Sequence, residues 1–124
     1  MTGKKILVVE DNPINMELVV FLLETNGYSV LKATSAKEGI EIAKKETPDL
    51  ILMDIGLPGM NGLVAAKILK NDTRTKKIPI IATTSHAMKG DEEEIRNAGC
   101  EGYITKPINT REFPKEIARY LGSF

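Results

Sequence analysis

The sequence predicts a doubly wound α/β fold, a five-stranded parallel sheet with helices on both faces. Three observations carry that expectation. Short apolar runs at residues 6–9, 30–33, 50–53, 78–82 and 103–104 alternate with longer stretches of helical character. Helix start and stop signals fall between these runs and not within them. Strand followed by helix, repeated along the whole chain, joins parallel strands through right-handed crossovers, and 124 residues suffice for one such unit with no room for a second.

The elements follow in order. The run "ILVV" is apolar throughout, as a strand covered on both faces should be. Asn12 before Pro13 suits an N-cap and first helical position, and Asn26-Gly27 suits the stop of that first helix. "SVLKA" at 29–33 alternates and suits an edge strand. Ser35 with Glu38 reads as a capping box, and Lys44 and Lys45 fall where a helix C-terminus favours positive charge. The third run, at 50–53, is apolar up to Asp54, after which Gly56, Pro58, Gly59 and Gly62 break the chain into a loop. A third helix is expected over 63–70, then a fourth strand and a fourth helix opened by an Asp91–Glu94 capping box. The last run is the weakest strand signal. A fifth helix is expected over 110–121, with Pro114 near its start, where the missing N–H costs little. Central apolar runs and an alternating edge give the strand order 2-1-3-4-5.

Composition narrows the function. Basic and acidic residues balance at 17 each, and the basic ones are scattered in pairs such as Lys4-Lys5 and Lys76-Lys77, which argues against a nucleic-acid partner. One cysteine, Cys100, permits no internal disulfide. No signal peptide or membrane span is legible, so a cytoplasmic protein without a membrane partner is expected.

In a parallel sheet all strand C-termini share one rim, and ligands bind where the strand order reverses. Glu10 and Asp11 follow the first strand, Asp54 ends the third, Thr84 and Ser85 follow the fourth, and Lys106 follows the fifth. Two carboxylates about 5 Å apart repel by roughly 3 kcal/mol at an effective dielectric of about 20. Three of them with one lysine leave a formal charge of −2. A Mg²⁺ ion would neutralise it, and Mg²⁺ favours a few carboxylates plus waters and phosphate oxygens. Calcium would want more oxygens, and zinc more His or Cys than one of each.

"ILVVEDN" at 6–12, "PDLILMDIGLPGMNG" at 48–62, "IPIIATT" at 78–84 and "GYITKP" at 102–107 resemble the four signature segments of the receiver domain of two-component response regulators. The resemblance covers essentially the whole chain and extends to single-domain DivK-type receivers and to the receivers of hybrid sensor kinases. It implies a flavodoxin-like (βα)5 fold and one receiver domain over 1–124 with no output domain. It implies Asp54 as phosphoacceptor for a phosphohistidine on a histidine kinase or histidine phosphotransferase. Glu10, Asp11, Asp54 and the backbone carbonyl of Gly56 would hold Mg²⁺. Lys106 and Thr84 would contact the phosphoryl oxygens, and Thr84 with Tyr103 would form a switch read out by a protein target on the face of the fourth helix, fifth strand and fifth helix. The bland alternatives are a β-branched strand residue at Thr84 and a packing tyrosine at Tyr103. Ser85 and His86 match positions that modulate the phosphoryl site, Ser85 standing where many receivers carry alanine or glycine. The Lys106-Pro107 bond is expected to be cis. A monomer or a weak phosphorylation-dependent dimer is implied.

Helix one offers a further reading. Its buried stripe is drawn through Leu18, Val19, Leu22 and Leu23, leaving Ile14 and Phe21 on one flank, either as a wider core contact or as a docking patch for the phosphodonor's helical domain. Two rival functions compete with a phosphorylation-controlled interaction module. A phosphatase of the haloacid-dehalogenase type would need an Asp two residues after its nucleophile, where this chain has Gly56. A scaffold that had lost phosphorylation would not need the acids, threonine and lysine that are all present. A relay intermediate, or a receiver from a hybrid kinase, stays open.

Overall fold

A computed structural model of the chain describes residues 3–85 and 89–122, with the backbone alone at 89 and 90. Strands and helices alternate as β1 (Lys5–Val9), α1 (Pro13–Thr25), β2 (Ser29–Ala33), α2 (Ala36–Glu46), β3 (Leu50–Asp54), α3 (Gly62–Lys70), β4 (Ile80–Thr84), α4 (Lys89–Asn97), β5 (Gly102–Thr105) and α5 (Phe113–Tyr120). The strands form one parallel sheet in the order β2-β1-β3-β4-β5. Among the described residues no helix is long and apolar enough to cross a membrane.

The apolar runs are continuous because successive side chains feed two cores. Leu7, Val9, Ile51, Met53, Ile80 and Ala82 pack toward α2, α3 and α4, whereas Ile6, Val8, Leu50, Leu52 and Ile81 pack toward α1 and α5. β2, the alternating run, lies at the edge.

Most helix signals act as expected. The Asn12 side chain accepts from the N–H of Ile14 and Asn15 with Pro13 at the helix start, and Gly27 leaves the helix at φ +87°. Ser35 accepts from Glu38 N, while the Glu38 carboxylate accepts from Thr34 N at 2.7 Å, one residue earlier than a standard capping box.

Other boundaries differ for identifiable reasons. β4 starts at Ile80 instead of 78, since the Ile78 N–H closes a turn onto Thr75 O, and it continues through two β-branched threonines to Thr84. α4 begins at Lys89, so Asp91 sits in its first turn and is not an N-cap. There the acids still face the positive end of the helix dipole. α5 begins at Phe113 because Asn109 Oδ1 first accepts from Arg111 N (3.0 Å) and Glu112 N (3.1 Å), holding the preceding residues in a turn. On α1 the fully buried residues are Met16, Val19 and Leu23. Leu18, expected on that stripe, is only partly buried and lines a surface hollow with Ile14, Glu17 and Phe21.

Candidate functional site

Three strand ends converge. Asp54 is the last residue of β3 and only 5% exposed; Glu10, directly after β1, is 4% exposed; Asp11 beside it faces solvent. Carboxylate oxygens of Glu10, Asp11 and Asp54 all lie within 4.8 Å of one another. Lys106, after β5, reaches into this cluster, its Nζ 2.8 Å from Glu10 Oε1 and 3.1 Å from Asp54 Oδ2. Backbone N–H groups hold the remaining carboxylate oxygens: Gly56 N donates to Asp54 Oδ1 at 2.8 Å and Asn12 N to Glu10 Oε2 at 3.1 Å.

The charges are strongly held and imperfectly balanced. Burial raises the pKa of Glu10 above its ordinary value, against the lowering effect of its bonds to Lys106 and Asn12. Burial alone would lower the Lys106 ammonium, yet its bonds to Glu10 and Asp54 outweigh this and raise it. One lysine therefore satisfies two buried carboxylates, and Asp11 is left to solvent. Hard oxygen donors in excess of the local positive charge are the donor set a small divalent cation takes.

Thr84, at the end of β4, is 4% exposed, and its carbonyl accepts from Lys106 N at 2.7 Å, which ties the lysine loop to that strand. Ser85 is exposed, and His86 lies outside the described residues. Tyr103, on β5, is half-buried with its hydroxyl donating to the Glu92 carboxylate on α4. The Lys106-Pro107 peptide is cis, as expected. Ile14 and Phe21 are 77% and 62% exposed, so neither is a core contact.

Sequence reasoning missed three groups. Glu92 gives no motif signal, being one of three consecutive glutamates. Gly62, read as a loop residue, is the buried first residue of α3 and lies against the Asp54 carbonyl. Lys70 donates to the carbonyls of Ile78 (2.7 Å) and Lys76 (3.3 Å) and pairs with Glu101 (3.1 Å), whose other oxygen accepts from Ile80 N, pinning the start of β4.

Residues 6–118 match the model of the response regulator receiver domain family. The polar-differentiation response regulator DivK of Brucella ovis is 49% identical over 119 residues, which cover 96% of this chain and 97% of DivK. Among solved structures, the receiver domain of sensor histidine kinase PA1611 from Pseudomonas aeruginosa has a TM-score of 0.90 at 33% identity, covering 98% of this chain and 99% of that one; that structure carries a magnesium ion in its active-site cleft. A response regulator from Chloroflexus aurantiacus reaches a TM-score of 0.92 at 26% identity, covering 98% and 99%. With its flavodoxin-like order of five parallel strands and this rim of acids and lysine, the chain belongs to the response regulator receiver domain family.

Proposed function

We propose that this receiver accepts a phosphoryl group onto Asp54 from the phosphohistidine of a histidine kinase or histidine phosphotransferase, in a Mg²⁺-dependent reaction, and thereby switches its binding to another protein. The observation that carries this reading is the buried Asp54 carboxylate, grouped with Glu10 and Asp11 within 4.8 Å and paired to Lys106 at 3.1 Å. An Asp54 oxygen forms the new bond to phosphorus as the phosphorus–nitrogen bond breaks, and the electron pair of that bond leaves with the histidine ring. Glu10, Asp11, Asp54 and the Gly56 carbonyl would hold the metal. When bound, Mg²⁺ offsets the charge on the transferring group. Lys106 supplies a second, fixed positive charge, and Thr84 offers a hydroxyl to a phosphoryl oxygen. The Gly56 N–H orients the nucleophile through Asp54 Oδ1. Gly56 and His86 shape access of water to the acyl phosphate, and the extra hydroxyl of Ser85 crowds or hydrogen-bonds the phosphoryl group.

The chain catalyses only its own phosphorylation and dephosphorylation. Residues 1–124 act as a cytoplasmic receiver module, a monomer or weak phosphorylation-dependent dimer; the 49% identity to DivK of Brucella ovis, of which the chain covers 97%, supports a DivK-type role over that of a hybrid-kinase receiver. Ile14 and Phe21 dock the phosphodonor, and the Thr84–Tyr103 switch is read on the face of α4, β5 and α5.

Labelling with acetyl phosphate tests the core of the proposal. It should require Mg²⁺ and disappear in Asp54→Asn. Undiminished labelling of that variant would overturn the assignment.

A further inference from the structure

Tyr103 and Thr84 share a face of the sheet. Ala82 pairs with Tyr103 and Thr84 with Thr105 in the β4–β5 register, and residues two apart on a strand point the same way. Movement of the Tyr103 ring toward Thr84 therefore runs along that face. The hydroxyl at the far end of the ring is not idle. It donates to a carboxylate oxygen of Glu92, in the first turn of α4, while the ring packs on the core between the sheet and α2, α3 and α4. A phenol donating to a carboxylate makes a charge-assisted bond, stronger than one between neutral groups. The same contact raises the phenol's pKa, because the tyrosinate would face the carboxylate without the proton between them.

We propose that Glu92 is a positioning residue of the switch, holding Tyr103 against α4 and away from Thr84 until Asp54 is phosphorylated. The inference rests on the phosphoacceptor reading above and adds a specific opposing contact to it. To swing inward, Tyr103 must surrender the bond to Glu92, so this carboxylate sets part of the cost of activation. Arg96, one helical turn beyond Glu92 on the same face of α4, is placed to receive the released carboxylate. Apparent affinity for any ligand of the switched form scales with the fraction already in that form. Weakening the latch should thus tighten binding at a site that Glu92 does not touch.

Beryllofluoride, an acyl-phosphate mimic, can be titrated in excess Mg²⁺ against wild type, Glu92→Ala, Glu92→Gln, Tyr103→Phe and Glu92→Ala combined with Tyr103→Phe. Glu92→Ala should bind about fivefold more tightly than wild type, at the low end of typical allosteric couplings. Glu92→Gln keeps an acceptor oxygen but only for a neutral bond, so its gain should fall well short of that of Glu92→Ala, although it loses the same charge at the N-terminal end of α4. In the Tyr103→Phe background Glu92→Ala should change nothing, since the hydroxyl is already gone. A contact serving only stability would lower the melting temperature without tightening affinity. The inference is overturned if Glu92→Ala leaves affinity unchanged, if Glu92→Gln gains as much, or if the gain persists without the hydroxyl. Failure of wild type to bind beryllofluoride at all would instead sink the phosphoacceptor reading, and this inference with it.

Discussion

Gly62→Ala probes the joint between scaffold and site. A Cβ on Gly62 would lie 2.3 Å from the Asp54 carbonyl oxygen, 2.9 Å from the Asp54 carbonyl carbon and 2.9 Å from Ile55 Cα. All three are backbone atoms, so no rotamer change relieves the clash. An ordinary contact would require α3 and the end of β3 to part by about 1 Å. Overpacking of this kind costs about 1–3 kcal/mol, and the rigid neighbours place this case near the top; the helix preference for alanine returns about 1 kcal/mol at most. The net loss of about 2 kcal/mol corresponds to a melting point lower by about 6–12 °C for a domain of this size. Asp54 would shift too, and a misplacement of about 1 Å can slow chemistry by about 100-fold. Thermal melts with acetyl phosphate labelling rates give both readouts. Gly59→Ala is the control: it also costs stability, because Gly59 sits at φ +77°, but its Cβ would meet nothing within 4 Å and labelling should survive. A Gly62→Ala protein that melts and labels like wild type would refute the argument.

Lys106→Met leaves the buried Glu10 and Asp54 carboxylates without their cation and should cost about 3 kcal/mol at pH 7 in metal-free urea denaturation, with partial recovery at pH 5, where Glu10, whose pKa burial already raises, takes up a proton more readily; equal loss at both pH values would contradict this. Glu10→Gln should show the opposite sign. Because the folded pKa of Glu10 is raised, its contribution to stability is fully present below the unfolded value of about 4.5 and is lost as pH rises through the folded value. The wild type should therefore lose stability relative to Glu10→Gln as pH is raised from about 4.5, in metal-free denaturation curves; a gain over that range would refute the burial argument.

What was legible in the sequence was what depends on short-range pattern. The apolar run at 50–53 announced a strand covered on both sides, and Asn12-Pro13 fixed the start of α1 because an N-cap and a proline act within one turn. Boundaries failed where two local signals competed. Asn109 captured the N–H groups of Arg111 and Glu112 before α5 could form, and Asp91 with Glu94 had the spacing of a capping box at a place where α4 was already under way. The stripe on α1 went astray because uninterrupted hydrophobicity from 18 to 23 carries no phase; only the packing separates Leu18 from Met16. Glu92 and Lys70 were invisible for another reason. Their partners, Tyr103 and Glu101, are 11 and 31 residues away, and nothing in the neighbouring sequence distinguishes a glutamate or lysine held by a distant partner from one that is simply solvated.

The residue types at the rim follow from distances across the sheet. Neighbouring strands lie about 4.8 Å apart, so in the order β1-β3-β4-β5 the chain leaving β5 is roughly 10 Å from β3 and 14 Å from β1. An aspartate suits position 54, which is itself at the centre and needs no reach. Glu10, one strand away, has one more methylene and leans inward to meet the same lysine. Lys106 must cross the end of β4 to contact both, and the long stem of lysine, with its charge at the tip, suits that task. The residues it passes over are Thr83, in register with Asp54, and Thr84, whose carbonyl holds the Lys106 backbone. Bulky side chains there would obstruct the bridge, whereas threonine is compact, favours a strand and keeps a hydroxyl at the rim. Short at the centre, long at the edge and small in between is the arrangement that lets one cation serve two buried acids across four strands. It also explains why an arginine at 106, or a leucine at 84, should disturb the site through geometry even where charge or burial is preserved.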